Sequence, residues 1–403
     1  MTIAVLAGAF PTSESPSGGI FITRRLIELK KMGVQSLVIV PRRYQSLPRW
    51  VVANTANFLR HGRNTKKRNH ADTEGIITSF DVRYEYLPVS LGLFTIDRDR
   101  RPVKFLYRYL KGKDFDVLHA HGAYPEGYWA AKLSVMLGKP FVVTAHGSDI
   151  CINSRSSDLA RVRMVNALHC AERVLFVSSN LLGSAKELGY DGKNAVIIPN
   201  GYDPTLFYPR DIVLNGNNST EREKKTIGFV GNLVKVKGAD RLPSLFRAIS
   251  GKVSDVKFLV VGEGPLRSEI GSAIGGLDVQ FTGAVTQNLV PSYMQEMDVL
   301  IVPSRSEGWG CVIKEAQAMG IPSVGSAVGG IPEAIGPAGV LVADGPHFIE
   351  DFSDAVAGIL EKRPDKANIV TAARGYTWSH LVAEEYKIYA DIVGDAKDSI
   401  ARK

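Results

Sequence analysis

Two carboxylates, Glu307 and Glu315, stand with seven residues between them inside the run Ser304 to Pro322, and the residues around them are those of an anion site. Gly308 and Gly310 come just before a stretch rich in Val, Ile, Lys, Glu, Ala and Met. That stretch reads as a helix stopped at Gly320, a glycine followed two residues later by proline. The amino end of a helix whose backbone can be approached closely takes a phosphate or pyrophosphate on its unpaired amides, without a dedicated cation. The same two glycines equally suit a tight turn and nothing more. As helical residues the glutamates would lie about 80° apart around the axis and roughly 12 Å along it. The paired acids of a retaining glycosidase are only about 5 to 5.5 Å apart, so that chemistry is excluded. The spacing suits instead two carboxylates that bracket one extended ligand, with hydroxyls on either side of a diphosphate. A single glutamate on a surface helix is usually no more than solvated.

The elements that would position these groups can be read on either side. Asp298 to Pro303 is apolar after its aspartate and stopped by proline, the pattern of a strand buried on both faces of a parallel sheet. A strand therefore feeds a glycine turn, and the turn feeds a helix. The ordered residues Ser304, Glu307, Gly308, Trp309, Gly310, Glu315, Ala316, Ala318, Gly320 and Pro322 resemble the pattern of the family-4 retaining glycosyltransferases of the GT-B fold. The resemblance implies that Glu307 holds hydroxyls of a donor sugar and Glu315 the ribose of its nucleotide. It also implies that the stretch Gly308, Trp309, Gly310, Cys311 and Val312 binds donor, with the amides of the last three facing sugar and phosphates.

A chain of 403 residues is too long for one core and fits two domains of about 200 residues. With 45% hydrophobic and 22% charged residues it is an ordinary globular composition. No apolar run approaches the ~20 residues of a membrane-spanning helix, and the start, Ile3 to Ala9, reads as a first strand instead of a signal peptide. Cys151, Cys170 and Cys311 lack CxxC spacing, so neither a disulfide framework nor a zinc site is indicated, and a cytoplasmic location is the default expectation. The net charge of +8 is uneven: residues 1–205 carry 28 Lys and Arg against 17 Asp and Glu, and residues 206–403 carry 21 against 24. A basic first half points to an anionic surface or ligand.

Alternation begins at once, with strand Ile3 to Ala7, a helix from about Ile20 to Lys31 and strand Ser36 to Val40, the pattern of an open parallel sheet with helices on both faces. Gly18 and Gly19, between the first strand and helix, can present bare amides to a ligand at the carboxyl end of the strands. They resemble the family's glycine loop, which closes over donor phosphate and acceptor. Residues 42–71 hold eight Lys or Arg and no acid, interleaved with Trp50, Val51, Val52, Phe58 and Leu59. That composition suits a segment lying on anionic lipid, and equally a solvated basic loop; no nucleic-acid module accompanies it. Further on, His119, His121 and His146 fall at strand ends but do not share one face of any element, so no metal is expected. His146, Gly147, Ser148 and Asp149 resemble the family's His-Gly-x-Asp motif, which implies that His146 sits beside the anomeric centre.

Residues 209–225, polar and without apolar periodicity, read as a linker. The next strand, Thr226 to Val230, runs into Gly231, Asn232, Leu233, Val234, Lys235, Val236, Lys237 and Gly238. This resembles the family's Gly-Arg-Leu-x-x-x-Lys-Gly loop, whose cations clamp the donor diphosphate. Lys237 matches, but Asn232 stands where arginine is usual, which removes one cation. By the same resemblance Val285 lies near the base. Gly262, Glu263, Gly264 lack the third glycine of a dinucleotide fingerprint, so no NAD site is indicated and no cofactor is expected.

These readings converge on an α/β fold of two Rossmann-like doubly wound domains facing across a cleft. Residues 1–205 would bind acceptor and 206–377 the nucleotide sugar, with the last helix, about 378–400, packing back on the first domain. The expected function is metal-independent, retaining transfer of a hexosyl group from a nucleoside-diphosphate sugar to a glycan or lipid-linked acceptor in cell-envelope polysaccharide or glycolipid synthesis. The expected place is the cytoplasm or the inner face of the cell membrane. A GT-B epimerase or phosphorylase, or a non-catalytic nucleotide-sugar-binding module, would keep the same residues.

Overall fold

The computed structural model describes residues 1–11, 18–44, 78–85, 100–209 and 224–401. The basic segment therefore lies outside the described residues from 45 to 71, and so does most of the linker. The chain forms two compact units, the first made of Met1–Phe176, Leu182–Ile197 and Val382–Lys403, the second of Val177–Leu181 and Ile198–Leu381. This division comes earlier than the 205/206 boundary read from the sequence. Its cause is local: Tyr202 is tied into the second unit, its N–H donating to Tyr376 O at 2.9 Å and its carbonyl accepting from Trp378 N at 3.0 Å.

In the first unit seven strands run parallel: β1 (Thr2–Ala7), β2 (Gln35–Tyr44), β3 (Thr78–Glu85), β4 (Val117–His121), β5 (Phe141–Ala145), β6 (Arg173–Phe176) and β7 (Ala195–Ile197). Their spatial order is β3-β2-β1-β4-β5-β6-β7. The central strands are buried along their length, β1 from Ile3 to Ala7 and β4 and β5 throughout; β1 and β5 accordingly read as near-continuous apolar runs, while β4 buries His119 and His121 among Val117, Leu118 and Ala120. The order reverses between β1 and β4, so the loops leaving their carboxyl ends diverge and leave a place for ligand.

The second unit holds six parallel strands, β8 (Lys225–Val230), β9 (Val256–Val261), β10 (Val279–Gly283), β11 (Val299–Val302), β12 (Ser323–Ser326) and β13 (Gly339–Val342), ordered β10-β9-β8-β11-β12-β13. Its reversal falls between β8 and β11. One continuous core joins β8, β9 and β11 to the helices Leu242–Ser250 and Phe348–Lys362, with Phe246 and Phe258 stacked at 4.1 Å. Each such buried side chain contributes about 1.5–3 kcal/mol relative to exposure. The core thus fixes the strand ends from which the next groups project.

Candidate active site

The loops on either side of the second unit's strand reversal carry the residues singled out by sequence. After β8, Gly238 takes φ 70°, and a Cβ there would lie 1.9 Å from Pro303 O, so only glycine lets this loop meet the one after β11. Arg305 binds Asp240 through two hydrogen bonds of 2.6 and 2.8 Å, one from each terminal nitrogen, and Arg241 Nη2 donates to both oxygens of Asp344 while Arg241 Nη1 donates to Pro303 O at 3.0 Å. The Arg305–Asp240 pair and the Arg241 bond to Pro303 O hold the two loops together, and Lys237 Nζ donates to Glu307 Oε2 across them. Asn232 and Lys235 are both exposed on the same loop.

Gly310, at φ 92°, turns the chain into the helix Cys311–Ala318, whose first amides have no side-chain cap. Against the outside of this turn lie Gly329 and Gly330, where a Cβ would meet Glu307 O at 2.1 Å and Gly308 O at 2.3 Å. On the helix, Glu315 accepts a 3.3 Å hydrogen bond from Gln287, which lies in the loop after β10 together with the half-buried Val285. Lys237 and Glu307 thus pair before the amino end of this helix, Glu315 pairs with Gln287 about one turn along it, and the charges of Glu307, Glu315 and Lys237 all act on Cys311, its first residue. Gln287 went unnoticed in the sequence, since nothing in a lone glutamine after a strand marks it.

Trp309 turns its side chain inward. Its ring is 3% exposed and tilted against Tyr376 at 5.6 Å, a ring that also carries Lys314 Nζ at 4.0 Å. The indole plugs the second unit's core, which leaves Trp309 only its backbone for a ligand. Cys311 is half-buried; loss of solvent around its thiol, reinforced by the charges of Glu315 and Glu307, pushes it up to about 12, so it stays protonated.

In the first unit, Gly19 at φ 65° starts the helix Ile20–Lys31, and a Cβ there would lie 2.4 Å from Ala9 O, so the Gly18-Gly19 turn sits against the end of β1. His146 follows β5. Its N–H and that of Gly147 donate to Asp149 Oδ1 at 3.1 and 2.8 Å, and Ala123 N donates to Oδ2 at 2.7 Å. Burial raises the Asp149 carboxyl above its ordinary value despite these amides.

The three histidines do come together, contrary to the sequence reading. His119 and His121 alternate onto one face of β4 with ring centroids 4.1 Å apart, and parallel pairing of β4 with β5 brings His146 within reach. His121 Nδ1 lies 3.0 Å from His146 Nε2, and Phe21 covers the His146 ring at 4.4 Å. Burial, with the neighbouring histidines and Arg25, holds His121 well below the ordinary imidazole range; burial, Arg25 and His119 do the same for His146. The pair is therefore neutral. Among the described residues no group of three or more His, Cys, Asp or Glu is placed to hold a metal ion.

Glu126 is a further group the sequence did not mark. Its carboxyl lies against Gly8 and Gly122, where a Cβ would come 2.4 and 2.8 Å from its oxygens, at the ends of β1 and β4. Burial, with Asp149 nearby, raises it to about 7 although its own backbone N–H works the other way. A carboxyl that gains and loses its proton near neutrality thus sits at the first unit's strand reversal.

Comparison with known proteins fits this geometry. The family profile described as Glycosyl transferases group 1 matches residues 224–362, and that described as Glycosyltransferase Family 4 matches residues 19–206. The chain is 30% identical over 348 residues to TuaC of Bacillus subtilis (strain 168), a glycosyltransferase named for teichuronic acid biosynthesis, covering 83% of each chain. It is 28% identical over 300 residues to N-acetyl-alpha-D-glucosaminyl L-malate synthase of Bacillus anthracis, covering 71% of this chain and 77% of the other. Among solved structures, sucrose-phosphate synthase from Thermosynechococcus elongatus superposes with TM-score 0.69 at 18% identity, over 98% of this chain and 100% of that one. Alr3699/HepE from Anabaena in complex with UDP does so with TM-score 0.66 at 18% identity over all of both chains. The two sheets and the loops at their reversals are thus those of the GT-B fold, and this chain belongs to the family-4 glycosyltransferases of group 1.

Proposed function

We propose that the protein transfers a hexosyl group, with retention at the anomeric carbon and without a metal ion, from a nucleoside-diphosphate sugar held on the second unit. The acceptor is a hydroxyl of a glycan or lipid-linked saccharide bound by the first unit, and the product enters cell-envelope polysaccharide or glycolipid. The observation that carries this reading is the pairing of Lys237 with Glu307 before the amino end of the helix Cys311–Ala318 and of Glu315 with Gln287 about one turn along it. A lysine and a row of unpaired amides take a diphosphate, and two carboxylates take the hydroxyls at either end of it. Alr3699/HepE, the structural relative above, binds UDP, and TuaC is named for an envelope polymer.

In this reading Glu307 binds hydroxyls of the donor sugar and Glu315 the ribose. Lys237 and the amides of Gly310, Cys311 and Val312 stabilise the charge that grows on the departing diphosphate. No carboxylate stands as nucleophile. The bond from anomeric carbon to phosphate oxygen breaks while the acceptor oxygen bonds to the same face, and a phosphate oxygen takes the acceptor proton, which preserves configuration. His146, neutral, donates or accepts at a sugar hydroxyl without gaining charge.

The first unit also favours an anionic membrane surface. The helix Arg100–Leu110 exposes Lys104, Phe105 and Arg108, and the exposed Lys111 and Lys113 follow it. An aromatic among cations is the composition of a peripheral contact with acidic lipid. No helix among the described residues is long and apolar enough to cross a membrane. We place the protein on the cytoplasmic face of the cell membrane, and retention on anionic but not neutral vesicles at low salt is the expected result.

The deciding experiment is a thermal-shift panel of nucleoside-diphosphate sugars against wild type, Glu307→Ala and Glu315→Ala, followed by assay of nucleotide release with envelope acceptors. One donor should raise the melting temperature of wild type, and both variants should lose that response. Wild-type responses in both variants would overturn the assignment.

A further inference from the structure

Beneath the paired histidines runs a buried chain of hydrogen bonds whose other end belongs to the helix Trp378–Ala401. Arg25, on the helix Ile20–Lys31, pairs with Glu385, each side chain 1% exposed. Tyr389 OH lies 2.6 Å from Glu385 Oε1 and 2.7 Å from His119 Nδ1, and His119 Nε2 lies 2.8 Å from Thr144 Oγ1. The donors in this chain have one possible order. Burial alone would push the Glu385 carboxyl up, but the Arg25 guanidinium foremost, with the hydrogen bond from Tyr389, more than offsets it and leaves it below its ordinary value, hence ionised. A carboxylate only accepts, so the single Tyr389 proton goes to Glu385 and the Tyr389 oxygen must accept from His119. Nδ1 of His119 therefore carries hydrogen. Burial brings His119 down to about 4, so the ring is neutral and Nε2 accepts from the Thr144 hydroxyl.

His119 is thereby fixed at both nitrogens, and His121 lies on it. His146 has no such anchor: its Nδ1 and the Nε2 of His121 are buried without a hydrogen-bond partner. The His146 ring is held by Phe21, by its bond to His121 and, through His121, by His119.

We infer that Glu385 and Tyr389 are positioning residues for His146, acting from the helix Trp378–Ala401 through the fixed tautomer of His119 and the ring of His121. The inference rests on the reading of His146 as a residue of the transfer site. Neither Glu385 nor Tyr389 touches that site, and both act by setting where the histidine pair stands.

Nitrogen-15 histidine spectra of the full-length protein, recorded without substrate, test the tether. In wild type His119 should show hydrogen on Nδ1. Tyr389→Phe keeps the ring but removes the acceptor, so His119 should move toward hydrogen on Nε2 and the resonances of His121 and His146 should shift with it. In the transfer assay the same variant should lose about tenfold to a hundredfold in kcat, as for a small misplacement of a reacting group. The KM for nucleotide sugar should stay within about twofold, since the donor residues lie on the second unit. Hydrogen on Nε2 in wild type, or unmoved His121 and His146 resonances in Tyr389→Phe, would overturn the inference. Should Tyr389→Phe not fold, Thr144→Val releases the other nitrogen of His119 and leaves the ion pair intact; unmoved resonances there overturn it equally. If no nucleotide sugar is turned over by wild type, the functional reading fails while the spectra still decide the tether.

Discussion

Lys237 donates to Glu307 across the point where the second sheet reverses its strand order, joining loops that follow β8 and β11. A cation and an anion so placed are each other's partner, yet each is also the group that a diphosphate or a sugar hydroxyl would seek. Lys237→Met should raise the KM for nucleotide sugar about tenfold to a hundredfold, the worth of a hydrogen bond to a charged group. Glu307→Gln should act mainly on kcat. Initial rates over a donor titration separate the two, and a Lys237→Met enzyme with unaltered KM would contradict the phosphate role.

Gly238 should tolerate no side chain. Gly238→Ala forces a Cβ into Pro303 O at a backbone angle L-residues avoid, and should destabilise the protein by about 3 kcal/mol in urea unfolding. Gly358, inside the helix Phe348–Lys362, meets nothing within 4 Å, so Gly358→Ala should stabilise by about 0.5–1 kcal/mol. Equal effects at the two sites would refute the packing argument.

Glu126 should give the stability a pH dependence of known sign. Its carboxyl stays protonated to about 7 when folded but ionises near 4.5 when unfolded, so its contribution is complete below about 4.5 and lost as pH rises through 7. His119, His121 and His146, all depressed, act oppositely in much of that window. The difference between wild type and Glu126→Gln isolates the carboxyl. The variant should gain on wild type from pH 5 to 7.5, measured by urea melts at half-unit steps.

Lys314 offers the alkaline counterpart. It is 2% exposed, donates to Gln317 Oε1 at 3.0 Å and Ala372 O at 3.1 Å, and burial lowers it to about 8. The unfolded chain then binds the extra proton between about 8 and 10.5, so this group makes stability rise with pH across that range. Lys314→Met should lose the rise. Cys311, raised from 9, pulls the other way above about 9, and Tyr202, raised from 10, above about 10, so pH 8 to 9 is the clearest window.

Most of the sheet strands and the turn between Glu307 and Glu315 were legible because their signals are local: most buried parallel strands are near-continuous apolar runs, and a glycine turn into a helix is punctuated by Gly310 and Gly320; β3, β12 and β13 were not, β12 being the small, polar run Ser-Val-Gly-Ser. The histidine cluster was not, because it exists only once β4 pairs in parallel register with β5, and a linear pattern carries no register. Arg25 and Glu385, 360 residues apart, gave no signal for the same reason. Trp309 shows the converse limit. Its motif implies a backbone that faces a ligand and says nothing of the indole, which packs against Tyr376.

That the first unit is closed by residues 382–401 has a consequence for biosynthesis. A nascent chain that has emerged only through Ile197 holds Arg25 without its counter-ion and His119 with one nitrogen unanswered, so this half waits for residues 382–401. The second half, whose sheet is complete by Val342, reaches its native packing sooner. Ribosomal order is thus inverted, and a product terminated after Leu381 would carry a finished second unit beside an unfinished first one.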